Sequence, residues 1–294
     1  MRNHIWQNIR GYDKVCHTKG SGILHQIITS TQNNYIKWVR SLKTKKGRIQ
    51  EGKFIIEGIK LLKEAMNSCI PIHSVLVDKS FLTSGDLIQQ LERNNVPIYL
   101  VSPQVMKSVT DTQTPQGIAA VLPVLNRYPH HGEDNYWLND FIIGIDRIQD
   151  PGNLGTIIRT ADAAGVTGLL FSKGTVDVYN SKVIRSTMGS IFHVPIKDNC
   201  NLVQEVSILK SRGYTVIASH LAGESRIRLS KWSETPIVLI IGNEASGVCD
   251  KLADMADFLY RVPMWGKAES LNASVAAGIM IYDIVRSKRS KDLI

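Results

Sequence analysis

Three segments of this 294-residue chain gather glycine, small polar residues and single charged side chains at the ends of apolar runs. Those strand ends are where an α/β scaffold mounts its chemistry. The first segment is DRIQDPGNLGTIIR, 146–159. Pro151-Gly152-Asn153 reads as a turn, Gly155 allows close backbone approach, and Arg159 falls one turn into the helix that follows. The second is LIIGNEASG, 239–247, an apolar strand running into Gly242-Asn243-Glu244 and Gly247. A glycine directly after a strand lets a ligand reach the main chain. The third is VPMWGKAESLNASVA, 262–276, in which Pro263 stops a strand, Gly266 makes a loop and small polar residues start a helix. A guanidinium, a carboxylate and side-chain amides in this setting suit a phosphate and a hydroxyl. Each segment also has a plain reading: a turn with a surface arginine, a strand-to-helix turn, an N-cap at Ser270. The N-cap does not explain the whole third run.

Alternating apolar patterns surround these segments. In the first part of the chain, helices are expected at 35–46, 58–67, 84–93 and 103–108. Strands are expected at 53–56, 73–77, 96–100 and 117–122, giving a compact α/β unit. The stretch 126–140 lacks periodicity and reads as a linker; residues 1–30 read as a loosely ordered extension. A second α/β series has strands at 141–145, 168–171, 192–195, 214–218, 237–241 and 259–262, with helices at 154–164, 181–188, 201–211 and 271–287. FIIGI at 141–145 is continuously apolar, as in a parallel-sheet strand buried on both faces. The expected division is therefore 1–30, 31–125, 126–140 and 141–294.

Charge is distributed unevenly. Residues 1–125 hold 16 Lys and Arg against 8 Asp and Glu, whereas 126–294 hold 19 against 18. Lys37, Arg40, Lys43, Lys45, Lys46 and Arg48 place six cations within twelve residues, with no acid among them. Such a run attracts a polyanion through counterion release, and it reads alternatively as a solvated helix face. The halves' asymmetry favours nucleic acid.

Other classes are excluded by what the sequence lacks. There is no G-x-x-x-x-G-K-[ST] phosphate loop and no G-x-G-x-x-G after a strand, which weighs against NTP hydrolysis, dinucleotide binding and the common Rossmann-type methyltransferases. No H-E-x-x-H or G-x-S-x-G suggests a hydrolase. No apolar run approaches the roughly 20 residues of a membrane span, and 1–30 hold no signal-peptide core. His130 and His131 have no third ligand in view, so no metal is expected. Cys16, Cys69, Cys200 and Cys249 are widely spaced thiols suited to a reducing cytoplasm.

In order and spacing, the three segments (N-x-G-x-x-x-R, I-G-N-E-x-x-G and P-M-x-G-x-x-x-S-L-N-x-S-x-A) resemble the signature motifs of the SpoU/TrmH RNA 2'-O-ribose methyltransferases. The likeness covers roughly 141–287. It implies a mostly parallel sheet containing a deep trefoil knot, S-adenosylmethionine as methyl donor, an RNA substrate and a homodimer formed through the knotted domain. By the same resemblance Arg159 acts at the 2'-hydroxyl, Asn153 orients it, and Glu244, Ser270 and Asn272 complete the polar wall around the ribose. A guanidinium is a poor proton acceptor, so Arg159 is expected to bind the adjacent phosphate and lower the hydroxyl pKa by its charge. Cofactor contacts are implied at Ser219, His220, Leu221, Gly242, Asn243, Gly247, Val262, Met264, Leu271 and Ala276. Lys182 and Arg185 could add phosphate contacts, or form a helix-surface pair. Residues 34–122, including EGKFIIEGIKLLKEA and PQGIAAV, resemble the ribosomal-protein-like RNA-binding domain that precedes this catalytic domain; the accessory domain points to ribosomal RNA. The alternatives are a noncatalytic ribosome-associated RNA-binding protein on the same domains and a knotted N1-guanine methyltransferase. Intact Asn153, Arg159, Glu244 and Asn272 argue against the first, and the ribose-type motifs against the second.

Overall fold

The computed structural model describes residues 27–81, 85–125, 141–224 and 235–289. The expected linker at 126–140, with its two histidines, lies outside them, as do residues 1–26 of the extension and residues 290–294. The chain divides into two compact units, one comprising residues up to Leu62 with Pro71–Pro123, the other Lys63–Ile70 with the chain from Val124 onward.

The first unit opens with α1 (Asn34–Ser41) and α2 (Lys45–Glu51), where one continuous helix was expected. Thr44 causes the break: its hydroxyl caps α2 by accepting from Gly47 N at 3.0 Å, and a capping threonine takes extended rather than helical backbone. There follow β1 (Lys53–Glu57), α3 (Ile59–Asn67), β2 (Ser74–Asp78), a short 3-10 turn, α4 (Gly85–Arg93), β3 (Ile98–Val101), α5 (Pro103–Val109) and β4 (Ile118–Pro123). The sheet runs β1-β4-β2-β3, with β2 and β3 parallel and the other pairs antiparallel. Tyr35, Ile36 and Val39 of α1 pack with Val105, Met106 and Val109 of α5 over Leu76, Val101, Ala119 and Val121 of one sheet face. Ile28, from the end of the extension, bridges to Val101 at the β3 edge.

The second unit is built on β5 (Phe141–Ile145), β6 (Gly168–Ser172), β7 (Ile196–Cys200), β8 (Thr215–Glu224), β9 (Ile237–Ile241) and β10 (Phe258–Tyr260). They form one sheet in the order β10-β8-β9-β5-β6-β7, and every pairing is parallel. β5, β6 and β9 are buried at every position, as their unbroken apolar runs require. The expected strand at 192–195 is instead the end of a 3-10 turn, and β7 starts four residues later.

The helices of this unit are α6 (Pro151–Ala163), α7 (Ser181–Thr187), α8 (Leu202–Ser211), α9 (Asp250–Asp254) and α10 (Ala273–Arg289). Two of their starts differ from expectation. Pro151-Gly152-Asn153 is the first turn of α6 rather than a separate turn. Asp150 caps it by accepting from Asn153 N at 2.8 Å, and proline fits the first helical position, whose N–H has no intrahelical partner. Arg159 therefore sits in the third turn of α6, two turns in rather than one. At α10 the cap is Asn272, whose Oδ1 accepts from Ser274 N at 2.9 Å, while Ser270 lies outside the helix and exposed. Leu154, Ile157, Ile158 and Ala161 form the buried stripe of α6 at helical spacing. Gly155 brings α7 close: a β-carbon there would sit 2.4 Å from Ser186 Cβ and 2.7 Å from Val183 O. The close approach expected at Gly155 is thus to a neighbouring helix.

Candidate functional site

β5 and β9 are adjacent and in register, Ile145 opposite Ile241, so the first and second segments leave the sheet side by side. This is a topological switch point, since the chain moves one way from β5 to β6 and β7 while β9 and β8 lie on the other side. The third segment follows β10, two strands beyond β9. It returns across the strand ends to bring Asn272 beside Asn153.

Asn153 joins all three segments. Its Nδ2 donates to Glu244 Oε1 at 3.0 Å, and its Oδ1 accepts from Asn272 Nδ2 at 2.9 Å. Asn153 is 8% exposed, and the amide's two ends are matched to an acceptor on one side and a donor on the other. Glu244 also accepts from the backbone N–H groups of Gln149 at 3.2 Å and Asp150 at 3.3 Å. Burial pushes the Glu244 carboxyl upward. Hydrogen bonds from Asn153 and from the main chain at Glu244, Gln149 and Asp150 outweigh it, so the group is held below its ordinary value as an anion. Asn272 Oδ1 further accepts from Ser274 Oγ at 2.6 Å and Val275 N at 3.3 Å, so the α10 cap and the polar cluster share one residue.

The loop after β9 is self-contained. Asn243 and Gly247 exchange backbone hydrogen bonds at 3.0 and 2.9 Å, and Asn243 Oδ1 accepts from Ala245 N and Ser246 N. A β-carbon on Gly242 would fall 2.2 Å from Gly247 C and Val248 N, so the glycine is required by this loop itself. Ser219, on β8, accepts a hydrogen bond from Gly242 N at 3.3 Å, which brings two expected cofactor residues together. His220 Nδ1 accepts from Ala222 N at 3.1 Å, Leu221 is exposed and its carbonyl accepts from Arg261, and Ala276 lies in the first turn of α10. Val262, Met264 and Leu271 are half-buried. Between Val262 and Leu271, no main-chain group makes a backbone hydrogen bond among the described residues.

The structure does not tie every expected residue to the cluster. Arg159 is exposed and its side chain has no hydrogen bond or ion pair among the described residues; Asn153 is bonded to Glu244 and Asn272 rather than to Arg159. Ser270 and Arg185 are likewise unbonded through their side chains among the described residues. Lys182 Nζ lies 3.7 Å from Asp150 Oδ2.

In the first unit the basic run divides. Lys37, Arg40, Lys45 and Lys46 are exposed. Arg48 is not an RNA-facing cation: it is 7% exposed, and its Nη1 donates to Leu42 O at 2.9 Å and Lys43 O at 2.8 Å, capping the end of α1. Lys43 is partly committed, to Thr110 O and Asp111 at 2.8 Å each.

Four residues of the first segment act here without having been singled out: Asp146, Arg147, Gln149 and Asp150. The available signal was an acid and an arginine directly after a continuous apolar strand.

Both units of the chain match known proteins. The SpoU rRNA Methylase family model matches residues 140–282, and that of the MRM3-like substrate binding domain matches residues 33–120. The chain is 38% identical over 257 residues to the 23S rRNA (guanosine(2553)-2'-O)-methyltransferase RlmP of Bacillus subtilis, spanning 87% of this chain and 98% of that protein. The AdoMet-bound rRNA methyltransferase from Sinorhizobium meliloti superposes with a TM-score of 0.74 at 30% identity, over 90% of this chain and 98% of the other. The SpoU methyltransferase AviRb from Streptomyces viridochromogenes, in complex with AdoMet, superposes with a TM-score of 0.75 at 25% identity, over 88% and 100%.

Proposed function

Since the chain belongs to the SpoU rRNA methylase family, we propose that it transfers a methyl group from S-adenosylmethionine to a ribose 2'-hydroxyl, with ribosomal RNA of the large subunit as substrate. The observation that carries this reading is the Glu244–Asn153–Asn272 chain, which joins three distant segments at the strand ends beside β5 and β9. The choice of ribosomal RNA is supported by the relative from Bacillus subtilis, named for a 23S guanosine.

The residues present fit the donor. Its polar groups need main-chain partners, and the segment from Val262 to Leu271 has main-chain groups that make no backbone hydrogen bond among the described residues, while Gly242 N donates to Ser219 Oγ. Ser219, His220, Leu221, Gly242, Asn243, Gly247, Val262, Met264, Leu271 and Ala276 are the residues we assign to it. When bound, it supplies an electrophilic methyl on sulfur. The chain's own residues then align the attacking oxygen and manage its proton. Arg159 is an uncommitted cation six residues beyond Asn153, about 9 Å along the α6 axis. Helical side chains start out toward the helix N-terminus, and we place the Arg159 guanidinium at that end of α6, beside the cluster. There it holds the phosphate beside the target ribose and stabilises the oxygen as it becomes anionic. Glu244 and Asn272, with Ser270, orient the ribose, and no metal is required.

Residues 31–125 form the substrate-binding domain, 126–140 the linker and 141–294 the methyltransferase domain. Lys37, Arg40, Lys45 and Lys46, with part of Lys43, supply phosphate contacts, as do Lys182 and Arg185. The return of the third segment from β10 to Asn153 is read as the threading of a trefoil knot. Val275, Ile279 and Tyr282 form an exposed apolar stripe on α10, which supports a homodimer through this domain. No helix among the described residues is long and apolar enough to cross a membrane, and we place the enzyme in the cytoplasm with its substrate.

The test is methyl transfer from labelled S-adenosylmethionine to ribosomal RNA, with the product mapped for 2'-O-methyl ribose. Arg159→Ala is expected to lower turnover by about 10²–10³ while cofactor binding, followed by calorimetry with and without chelator, persists. Arg159→Lys separates charge from the planar fork. Wild-type turnover by Arg159→Ala would overturn the role given to Arg159, and a base methyl as product would overturn the ribose reading.

A further inference from the structure

Asp146 follows β5 directly, is 3% exposed, and accepts four hydrogen bonds from three stretches of chain. Arg147 Nε and Nη2 donate to its two oxygens, each at 3.0 Å. Ser172 Oγ, at the end of β6, donates at 3.4 Å, and the backbone N–H of Cys249, beyond the second segment, donates at 2.9 Å. Arg147 itself has φ +59°, a left-handed backbone that disfavours any residue with a β-carbon. Glycine would hold that backbone more cheaply, so an arginine there points to a use for the side chain.

The turn made at Arg147 aims its neighbours. Its N–H donates to Ser172 Oγ at 3.0 Å, and its carbonyl accepts from Asn243 Nδ2 at 2.7 Å and Gln149 Nε2 at 3.1 Å. Asn243 then fixes the backbone of the loop that carries Glu244. From the other side, Gln149 and Asp150, two and three residues after the turn, direct their N–H groups at the Glu244 carboxylate. One ion pair, its Asp146 end buried and its Arg147 end partly exposed, therefore stands behind both the loop that bears Glu244 and the loop that receives it.

We propose that Asp146 and Arg147 are positioning residues for methyl transfer: their ion pair locks the left-handed turn that seats the first loop against the second and fixes the Glu244 carboxylate beside Asn153. Neither residue touches the reacting groups; both act through Glu244. The inference rests on the proposed methyltransferase reading and on a role for Glu244 within it.

The experiment is a double-mutant cycle on the full-length protein with Arg147→Gly, Glu244→Gln and the combination, measuring kcat and KM for RNA together with thermal midpoints. Glycine keeps the backbone accessible and removes only the side chain. Arg147→Gly should lower kcat by about 10- to 100-fold, the scale set by misplacing a reacting group by about 1 Å, with KM changed less. The combined variant should be no slower than the worse single one, because both changes break one unit. Arg147→Lys, which returns charge without the two-pronged fork, should recover part of the loss. If the unpaired Asp146 prevents folding, Asp146→Asn with Arg147→Gly removes the stranded charge and replaces Arg147→Gly in the cycle. Losses that multiply in the combined variant, or Arg147→Gly within twofold of wild type while Glu244→Gln is slow, overturn the positioning role and leave the methyltransferase reading standing. Normal turnover in Glu244→Gln overturns both the role of Glu244 and this inference. Absence of methyl transfer by the wild type defeats the underlying reading.

Discussion

Replacing Asn153 with aspartate is nearly isosteric, yet it sets a carboxylate where an amide donor now lies 3.0 Å from Glu244 Oε1. The new side chain can still accept from Asn272, so only one side of the junction is reversed. Two unit charges 3 Å apart repel by about 1.4 kcal/mol in bulk water and about 5.5 kcal/mol at an effective dielectric of about 20. Glu244 is exposed to solvent, which places the repulsion near the lower figure, at about 1.5 kcal/mol. Losing a hydrogen bond to a charged acceptor adds about 1.5 kcal/mol. A destabilisation of about 3 kcal/mol near neutral pH is therefore expected.

The effect should depend on pH. In the wild type the Glu244 carboxyl is lowered in the folded state, so its contribution is present above the unfolded pKa and is lost as pH falls through the folded one. In Asn153→Asp the two carboxyls share a proton, which raises the folded pKa of the pair above the unfolded values. The penalty is then full above that raised value and relieved as the pair takes up its proton. The difference between wild type and variant should therefore be largest, about 3 kcal/mol, at pH 7.5 and smaller at pH 5. Urea unfolding at the two pH values measures it. A difference equal at both within about 0.5 kcal/mol would show that Asn153 and Glu244 are not electrostatically joined.

Alanine at Lys37, Arg40, Lys45 and Lys46 together should lower the slope of log K for RNA against log salt by about 3, at about 0.7 per lost phosphate contact on single strands. An unchanged slope would leave these as a solvated helix face. Arg48→Ala should instead leave the slope alone and cost about 2 kcal/mol of stability, because it strands two carbonyls at a buried helix end. Gly155→Ala should destabilise by about 1–3 kcal/mol through collision with α7, and a neutral outcome in thermal unfolding would mean the two helices part without strain. Burial pushes the Cys200 thiol up to about 12, so at pH 8 it should stay unmodified by a thiol reagent in the native protein while the exposed Cys69 reacts; peptide mapping of labelled protein distinguishes them.

Strands buried at every position were readable because an unbroken apolar run has few alternatives: 141–145 and 237–241 are found at the residues expected. The three polar segments were visible for a related reason, since Asn, Glu and Gly at strand ends violate the local pattern. The sequence did not show that Asn153 holds both Glu244 and Asn272, because separations of 91 and 119 residues leave no local trace. Nor could it separate Arg48 from its neighbours. A basic run has one composition whether its members face water or turn inward to cap a helix, and the capping threonine at 44 decides which. Ser270 illustrates a nearer ambiguity: two polar residues, it and Asn272, were both able to cap α10, and helical phase selected the second.

The spans closed by the polar cluster have a kinetic consequence. Bringing residues 91 and 119 positions apart together carries the entropy of long loops, and parallel strands such as β5 and β9, with 96 residues between partners, pair only after much of the intervening chain is arranged. Helices such as α6, whose backbone hydrogen bonds are local, can form far earlier. On dilution from denaturant, far-ultraviolet signal should return well before methyl transfer, and activity should follow the slowest refolding phase. The catalytic arrangement belongs to no fragment of the chain; it comes into being only when the whole sheet has closed.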